Sequence, residues 1–139
     1  ANEWRVYCQE KFEPGIVGIS PLRCEPLEKG KRYSEAGSVV KMWSDPRAIA
    51  TKNWLDTESS DLVLAYLPKE LNDRRPSIGT IIEIGWAIGL RKPLIIVSDD
   101  NYLMDHPLIK HNASWRLNNL DEAIEVISGL FGDYISQVA

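Results

Sequence analysis

Cysteine and histidine are scarce in this sequence, which contains two residues of each. The cysteines, Cys8 and Cys24, are too few for the disulfide framework that staples small secreted domains, and no signal peptide precedes them in the sequence. We therefore expect a protein of the reducing cytoplasm. The scattered cysteines and histidines also lack the spacing of a metal site, so we predict neither a metal nor a cofactor.

A long apolar run and an excess of positive charge are missing as well. No apolar segment approaches the roughly 20 residues that cross a bilayer, so we expect no membrane partner. With 16 basic and 20 acidic residues the net charge is -4, and no positive field attracts a nucleic acid polymer. The length of 139 residues and the hydrophobic content of 44% indicate a single globular domain over residues 1–139.

Helical and strand patterns alternate along the chain. Apolar spacing, helix-capping residues and prolines predict helices over residues 2–12, 45–58, 78–90 and from 119 onward. Short apolar runs predict strands over residues 16–19, 61–67, 93–97 and 115–117. Polar composition predicts loops over residues 20–42, 71–76 and 99–111.

This alternation predicts an α/β fold, a three-layer sandwich with a parallel, flavodoxin-like or Rossmann-like sheet. Ligands of such folds bind beyond the carboxyl ends of the strands. Sheets of this kind usually have a central N-terminal strand, whereas this sequence opens on a helix. We therefore expect a first strand that residues 1–139 do not contain, paired between segments 16–19 and 61–67.

One charged residue interrupts an otherwise apolar helix. The segment SIGTIIEIGWAIGLRKPLIIV, residues 77–97, places Glu83 one turn after Gly79. Backbone N–H groups at this helix N-terminus suit an anion or a sugar hydroxyl, and they favour an ionised Glu83. The neighbouring isoleucines predict partial removal from water, which strengthens a carboxylate nucleophile. A solvated helix glutamate without a functional role is the alternative.

Residues 77–97, with NWLDTESSDLVLAYLP at 53–68, resemble the nucleoside 2-deoxyribosyltransferase family and the related nucleoside 5′-monophosphate N-glycosidases. The shared features are a glycine-containing turn, a glutamate followed by an apolar residue and glycine, and a lysine-proline pair that opens a strand. The resemblance covers residues 48–97 well and the segment LDEAIEVI, at 120–127, loosely. It implies an enzyme that acts at the N-glycosidic bond of nucleosides.

Glu83 is the nucleophile that this resemblance implies. Its carboxylate would attack C1′ of a 2′-deoxynucleoside and expel the base, leaving a deoxyribosyl-glutamate ester that a second base or water resolves. The implied partners are a small nucleoside or nucleotide and a free nucleobase. The resemblance also implies a homo-oligomer, from a dimer to a hexamer.

The base-binding position departs from the family pattern. The family usually carries an aspartate eight residues before the aspartate that opens the next strand, and here the residue eight before Asp61 is Asn53. Asparagine hydrogen-bonds a base edge but supplies no proton at neutral pH. Asp56, one helical turn further on, is predicted to face a different direction. Asn53 is therefore either a base-recognition residue or an exposed helix residue.

The position six residues before the glutamate is Ser77. The resemblance implies an acidic residue there in enzymes of free nucleosides and a phosphate-binding serine in the monophosphate N-glycosidases. Ser77 and the amides near Gly79 and Thr80, with Arg74, Arg75 or Arg23, together suit a phosphate. A plain N-cap is the alternative role of Ser77.

Three functions are compatible with these residues. The first is deoxyribosyl transfer through Glu83. The second is hydrolysis of 2′-deoxynucleoside 5′-monophosphates, which Ser77 favours. The third is a noncatalytic nucleotide-binding domain, which Asn53 favours.

Overall fold

The computed structural model describes residues 3–22, 45–72 and 76–132. Its elements are, in chain order, α1 (Glu3–Lys11), α2 (Pro46–Ser59), β1 (Val63–Tyr66), α3 (Lys69–Asn72), α4 (Ile78–Gly89), β2 (Leu94–Val97), α5 (Asn101–Met104), α6 (Pro107–Asn112), β3 (Trp115–Leu117) and α7 (Leu120–Phe131). The four predicted helices and three of the four predicted strands are thus confirmed to within a few residues. None of the helices in these residues combines the length and the apolar character needed to span a membrane.

The three strands form one parallel sheet in the order β1-β2-β3. β2 is its centre, and all four of its residues are buried. On one face, Leu94 and Ile96 pack with residues of α4, α5 and α6; on the other, Ile95 and Val97 pack with residues of α7. Helices therefore cover both faces of a parallel sheet, which confirms the predicted Rossmann-like α/β architecture.

Side-chain caps fix where the long helices begin. Asp45 accepts a hydrogen bond from the Arg47 N–H at 3.0 Å, and Pro46 occupies the first position of α2. Asn119 accepts from the Glu122 N–H at 2.9 Å and so starts α7. These contacts satisfy N–H groups that have no partner inside a helix, which is why the cap residues located the helix starts in the sequence.

Segment 16–19 is not a strand, contrary to the prediction. Its backbone is bound by a side chain of α1: the Gly18 N–H donates to Gln9 Oε1 at 2.6 Å, and Gln9 Nε2 donates to the Ile16 carbonyl at 3.2 Å. Val17 is 78% exposed. A short apolar run becomes a strand only beside a ladder partner, and a cavity separates this segment from β1. The additional strand expected between the two segments stays a prediction.

Short helices replace most of the predicted loop 99–111, which α5 and α6 occupy. α3 ends at Asn72, inside the predicted connector 71–76, of which residues 73–75 lie outside the described residues, as do residues 23–42 of the predicted loop 20–42. Asp100 caps α5, and His106 Nδ1 accepts from the Leu108 N–H at 3.2 Å and caps α6. Helices of four to six residues are too short to show a 3.6-residue apolar period, so the sequence pattern did not reveal them.

The central strand should dominate stability. Ile96 in β2 is 0% exposed and packs among residues of α4, α5 and α6. We expect Ile96→Ala to lower the free energy of unfolding by about 2–5 kcal/mol, because it removes buried methyl groups and leaves a cavity. Urea denaturation measures this, with Val17→Ala at a 78% exposed position as control. A loss no larger than that of the control would contradict the assigned core.

Candidate active site

A cavity of about 590 Å³ runs along the edge of β1 that β2 does not occupy. One wall is β1 with the residues before it, and the opposite wall is segment 15–21. Residues of α1 and α7 line it on one face of the sheet, and residues of α2 and α4 line it on the other. At the carboxyl end of β1 the ring of Trp4 packs edge-on against Tyr66, with centroids 5.4 Å apart. The predicted additional strand would fill the part of the cavity beside β1, so the candidate ligand site is the part lined by α2 and α4.

The free edge of β1 brings backbone polarity to this cavity. The N–H groups of Val63 and Leu67 donate to the carbonyls of Pro93 and Val97 at 3.0 and 2.9 Å. Successive residues of a strand direct their backbone groups to opposite sides, so those of the intervening Leu64 point away from β2 and toward the cavity. These free groups of β1 are where the additional strand predicted between segments 16–19 and 61–67 would pair.

Glu83 reaches the cavity from the second turn of α4. Its neighbour Ile84 is buried against the sheet, which leaves Glu83 half-buried at the cavity wall. Burial is the main cause that raises the pKa of Glu83; the charges of Arg5 and Lys52 lower it, and that of Asp56 raises it. The pKa of Glu83 is thus raised, contrary to the preference for the ionised form that is expected at the helix N-terminus. Glu83 is not a solvated helix residue.

Asn53 contacts Glu83 directly. Its Nδ2 donates to Glu83 Oε1 at 3.3 Å, from α2 to α4. The two helices are also joined by Trp54 and Trp86, whose rings pack edge-on with centroids 5.3 Å apart. Asn53 is half-buried and lines the cavity, so the alternative of an exposed helix residue is wrong.

Two residues that sequence reasoning left out complete this contact. Lys52 is 6% exposed, and its Nζ donates to Asn53 Oδ1 at 2.9 Å and to the Pro21 carbonyl at 2.6 Å. Asp56 lies 3.6 Å from the same Nζ and lines the cavity, so the prediction that it faces elsewhere is wrong. The signal that could have found the pair is their i, i+4 spacing on one helix.

The residues predicted to bind the 5′ end of a substrate lie at the start of α4. The Ser77 hydroxyl accepts from the Thr80 N–H at 3.4 Å and caps the helix. Thr80 is half-buried and lines the cavity, whereas Ser77 and Gly79 are exposed and lie outside its wall. Outside its own helix, no described residue lies within 4 Å of a Cβ built on Gly79. The three arginines predicted to contact a phosphate, Arg23, Arg74 and Arg75, lie outside the described residues.

Cys8 also borders the cavity but is a poor nucleophile. It is buried and unpaired, and burial is the main cause that raises its pKa to about 11. The thiol is therefore protonated at neutral pH, and a protonated thiol neither attacks carbon nor binds metal well. Cys24, its conceivable disulfide partner, lies outside the described residues. Within the described part of the chain, no three potential metal ligands cluster together.

Comparison with known families agrees with this geometry. The sequence model of nucleoside 2-deoxyribosyltransferases matches residues 8–130, a range that contains Asn53, Ser77 and Glu83. The chain belongs to the nucleoside 2-deoxyribosyltransferase family. No curated protein and no solved structure matched it. The match confirms the resemblance over most of the chain. Members of this family are enzymes that act on small nucleosides.

Within this nucleoside 2-deoxyribosyltransferase domain, the structure brings three predicted residues together. Glu83, Asn53 and Thr80 line one cavity, and the first two are in hydrogen-bond contact. Ser77 and Gly79 are one turn earlier on α4. Their roles toward a substrate stay predictions.

Proposed function

We propose that the protein cleaves and transfers at the N-glycosidic bond of 2′-deoxynucleosides through a covalent deoxyribosyl ester on Glu83. The observation that carries this proposal is a half-buried carboxylate, held by an amide donor at 3.3 Å, in the wall of the cavity. Family membership supplies the substrate class. The ionised carboxylate is a nucleophile without further activation, so no metal or cofactor is required.

The reaction has two steps. An oxygen of Glu83 forms a bond to C1′ while the C1′–N bond breaks, and its electron pair leaves with the base, which takes up a proton. A second base, or water, then attacks C1′ from the opposite side and releases the carboxylate. Two displacements give net retention at C1′, as in retaining glycosidases.

The charges around Glu83 suit both steps. Partial burial raises the energy of the carboxylate, which makes it a stronger nucleophile toward the cationic C1′ of an oxocarbenium-like transition state. The positive charges of Arg5 and Lys52 lower the pKa of Glu83 and keep the ionised form accessible. In the absence of substrate, Glu83 can therefore ionise, and its carboxylate is still more nucleophilic than one in water.

We assign Asn53 to recognition of the nucleobase. An amide recognises a base edge by donating and accepting hydrogen bonds, but it transfers no proton. Proton delivery to the leaving base then falls to another group. Asp56 is our candidate, because its carboxylate on α2 lies in the same cavity wall and contacts Lys52.

Hydrolysis of 2′-deoxynucleoside 5′-monophosphates is the second candidate. Ser77 and the first N–H groups of the 12-residue α4 favour it, because a helix N-terminus binds phosphate whereas an acidic residue there would repel it. Arg23 is the predicted second phosphate contact. A noncatalytic nucleotide-binding domain is the third candidate, favoured by asparagine at position 53.

A chromatographic assay distinguishes the three. The purified protein is incubated with deoxynucleosides and deoxynucleoside monophosphates, with and without adenine or cytosine as acceptor. Exchange between bases supports transfer, base release from monophosphates alone supports the hydrolase, and absence of turnover with measurable nucleotide binding supports the binding domain. Ribonucleoside controls determine whether a 2′-hydroxyl is accepted.

A homo-oligomer is expected, and the α2–α4 pair offers a surface for it. These helices expose the large apolar side chains Trp54, Leu55, Ile78, Ile81 and Ile82. Clusters of this kind on a folded domain commonly mark an interface. We expect a mass of two or more chains in light scattering, and a shift toward the monomer in Ile82→Lys. Leu108→Lys, at a 65% exposed position on α6, is the matched control. A monomeric wild-type protein would contradict this expectation.

The cytoplasmic location also stays a prediction.

A further inference from the structure

Lys52 makes contacts that its position in the helix does not explain. Neighbouring residues of an α-helix point about 100° apart, yet Lys52 Nζ contacts Oδ1 of the adjacent Asn53 at 2.9 Å. The side chain is 5% exposed and also contacts Asp56 at 3.6 Å. A lysine is almost never buried to this degree unless its charge is paired. The long stem of Lys52 therefore turns inward to meet specific partners.

One of these contacts decides which way the Asn53 amide points. An ammonium group donates hydrogen bonds and accepts none, so the atom of Asn53 beside Lys52 must be the amide oxygen. The Nδ2 group is then directed at Glu83, to whose Oε1 it donates at 3.3 Å. Without Lys52, the amide oxygen loses its ammonium partner, and the contact with Glu83 alone orients the amide.

A second contact of Lys52 joins two walls of the cavity. Lys52 Nζ donates to the carbonyl of Pro21 at 2.6 Å, and Pro21 belongs to the segment that forms the wall opposite β1. One ammonium group thus joins α2 to that wall and, through Asn53, to Glu83 on α4. Its positive charge also offsets the negative charge of Asp56 beside Glu83.

We propose that Lys52 is a positioning residue: it fixes the Asn53 amide as a donor to Glu83 and keeps the nucleophile ionised. This inference rests on the proposed function of Glu83. Among the described residues, the groups whose charges act on Glu83 are Arg5 on α1 and Lys52 and Asp56 on α2. Loss of Lys52 removes one of these two positive charges and leaves the repulsion of Asp56 less compensated.

The test compares Lys52→Met, Lys52→Arg and the control Lys110→Met, which removes an exposed lysine of α6. For Lys52→Met we expect kcat/KM to fall by about 10²-fold at pH 6, a loss typical of a misplaced reacting group. The acid limb of its pH profile should move to higher pH, because the carboxylate is protonated more readily once a nearby positive charge is gone. Lys52→Arg should restore the limb, and Lys110→Met should leave the profile unchanged.

A measurement without turnover separates this inference from the proposed function. The Glu83 carboxyl is titrated by carbon NMR in the substrate-free wild-type and variant proteins, assigned by its absence in Glu83→Gln. A higher Glu83 pKa in Lys52→Met, restored by Lys52→Arg, supports the positioning role even if no substrate is turned over. An unchanged Glu83 pKa in Lys52→Met would overturn the inference. So would a pH profile of kcat/KM that is lower at every pH but keeps its acid limb at the wild-type pH.

Discussion

Glu83→Gln is expected to lower base release by at least about 10³-fold, the scale of losses when a nucleophile is removed from an enzyme. Glutamine keeps the shape of the side chain and still accepts the hydrogen bond from Asn53, so the cavity should persist. It cannot form the ester with C1′. Initial rates with the best substrate of the panel measure the effect. Glu125→Gln, an exposed position on α7, should keep full activity. Activity of Glu83→Gln within tenfold of wild type would remove Glu83 from the nucleophile role.

The same substitution should stabilise the fold at neutral pH. The pKa of Glu83 is raised in the folded protein, chiefly by burial, so its ionised form costs folding free energy. The contribution of Glu83 is fully present below its unfolded pKa and is lost as pH rises through the folded pKa. We therefore expect Glu83→Gln to be more stable than wild type at pH 7, by up to about 2 kcal/mol. The difference should shrink in acid. Urea denaturation across pH measures this, and a variant that is less stable at pH 7 would contradict it.

Asn53→Asp is expected to raise kcat/KM by up to about 10²-fold at mildly acidic pH, the lower end of general acid catalysis. The new carboxyl would lie near Glu83 Oε1, which is 3.3 Å from Nδ2 in the present residue. Two carboxyls at this distance do not ionise together, so the pair shares one proton, which can pass to the leaving base as Glu83 attacks C1′. The pH profile should become bell-shaped.

Asn53→Ser is the control for this gain, since it shortens the side chain without adding an acid. It should lower activity and leave the shape of the profile unchanged. If Asn53→Asp gains nothing and keeps the wild-type profile, the proton reaches the base by another route. Asp56 is then the residue to test next, because it lines the same cavity.

The sequence predicted the elements whose signals are local. Asp45 with Pro46 and Asn119 marked helix starts, and the run from Leu94 to Val97 marked a buried strand, because caps and apolar runs act through neighbouring residues. Segment 16–19 has the same apolar character and was misjudged. Whether an apolar run pairs depends on what lies beside it in space, and here Gln9 of α1 binds its backbone.

The candidate site was predictable in part for the same reason. Glu83 is conspicuous as a carboxylate in an apolar helix, and family resemblance located Asn53. The role of Lys52 was hidden, because a lysine on a helix is usually solvated and its burial depends on Pro21, 31 residues away in the chain. Asp56 was predictable as well, because residues three and four positions apart share a helix face, and Asp56 stands at these spacings from Asn53 and Lys52.

The most direct test of the central claim is the intact mass of the protein, quenched in acid during turnover of a deoxynucleoside without an acceptor base. The account predicts a species heavier by one deoxyribosyl group, mapped by peptide fragmentation to Glu83 and lost when adenine or cytosine is added. This heavier species should not form in Glu83→Gln. Turnover that continues with no such species in rapid-quench samples, or an adduct on a different residue, would contradict a covalent mechanism through Glu83.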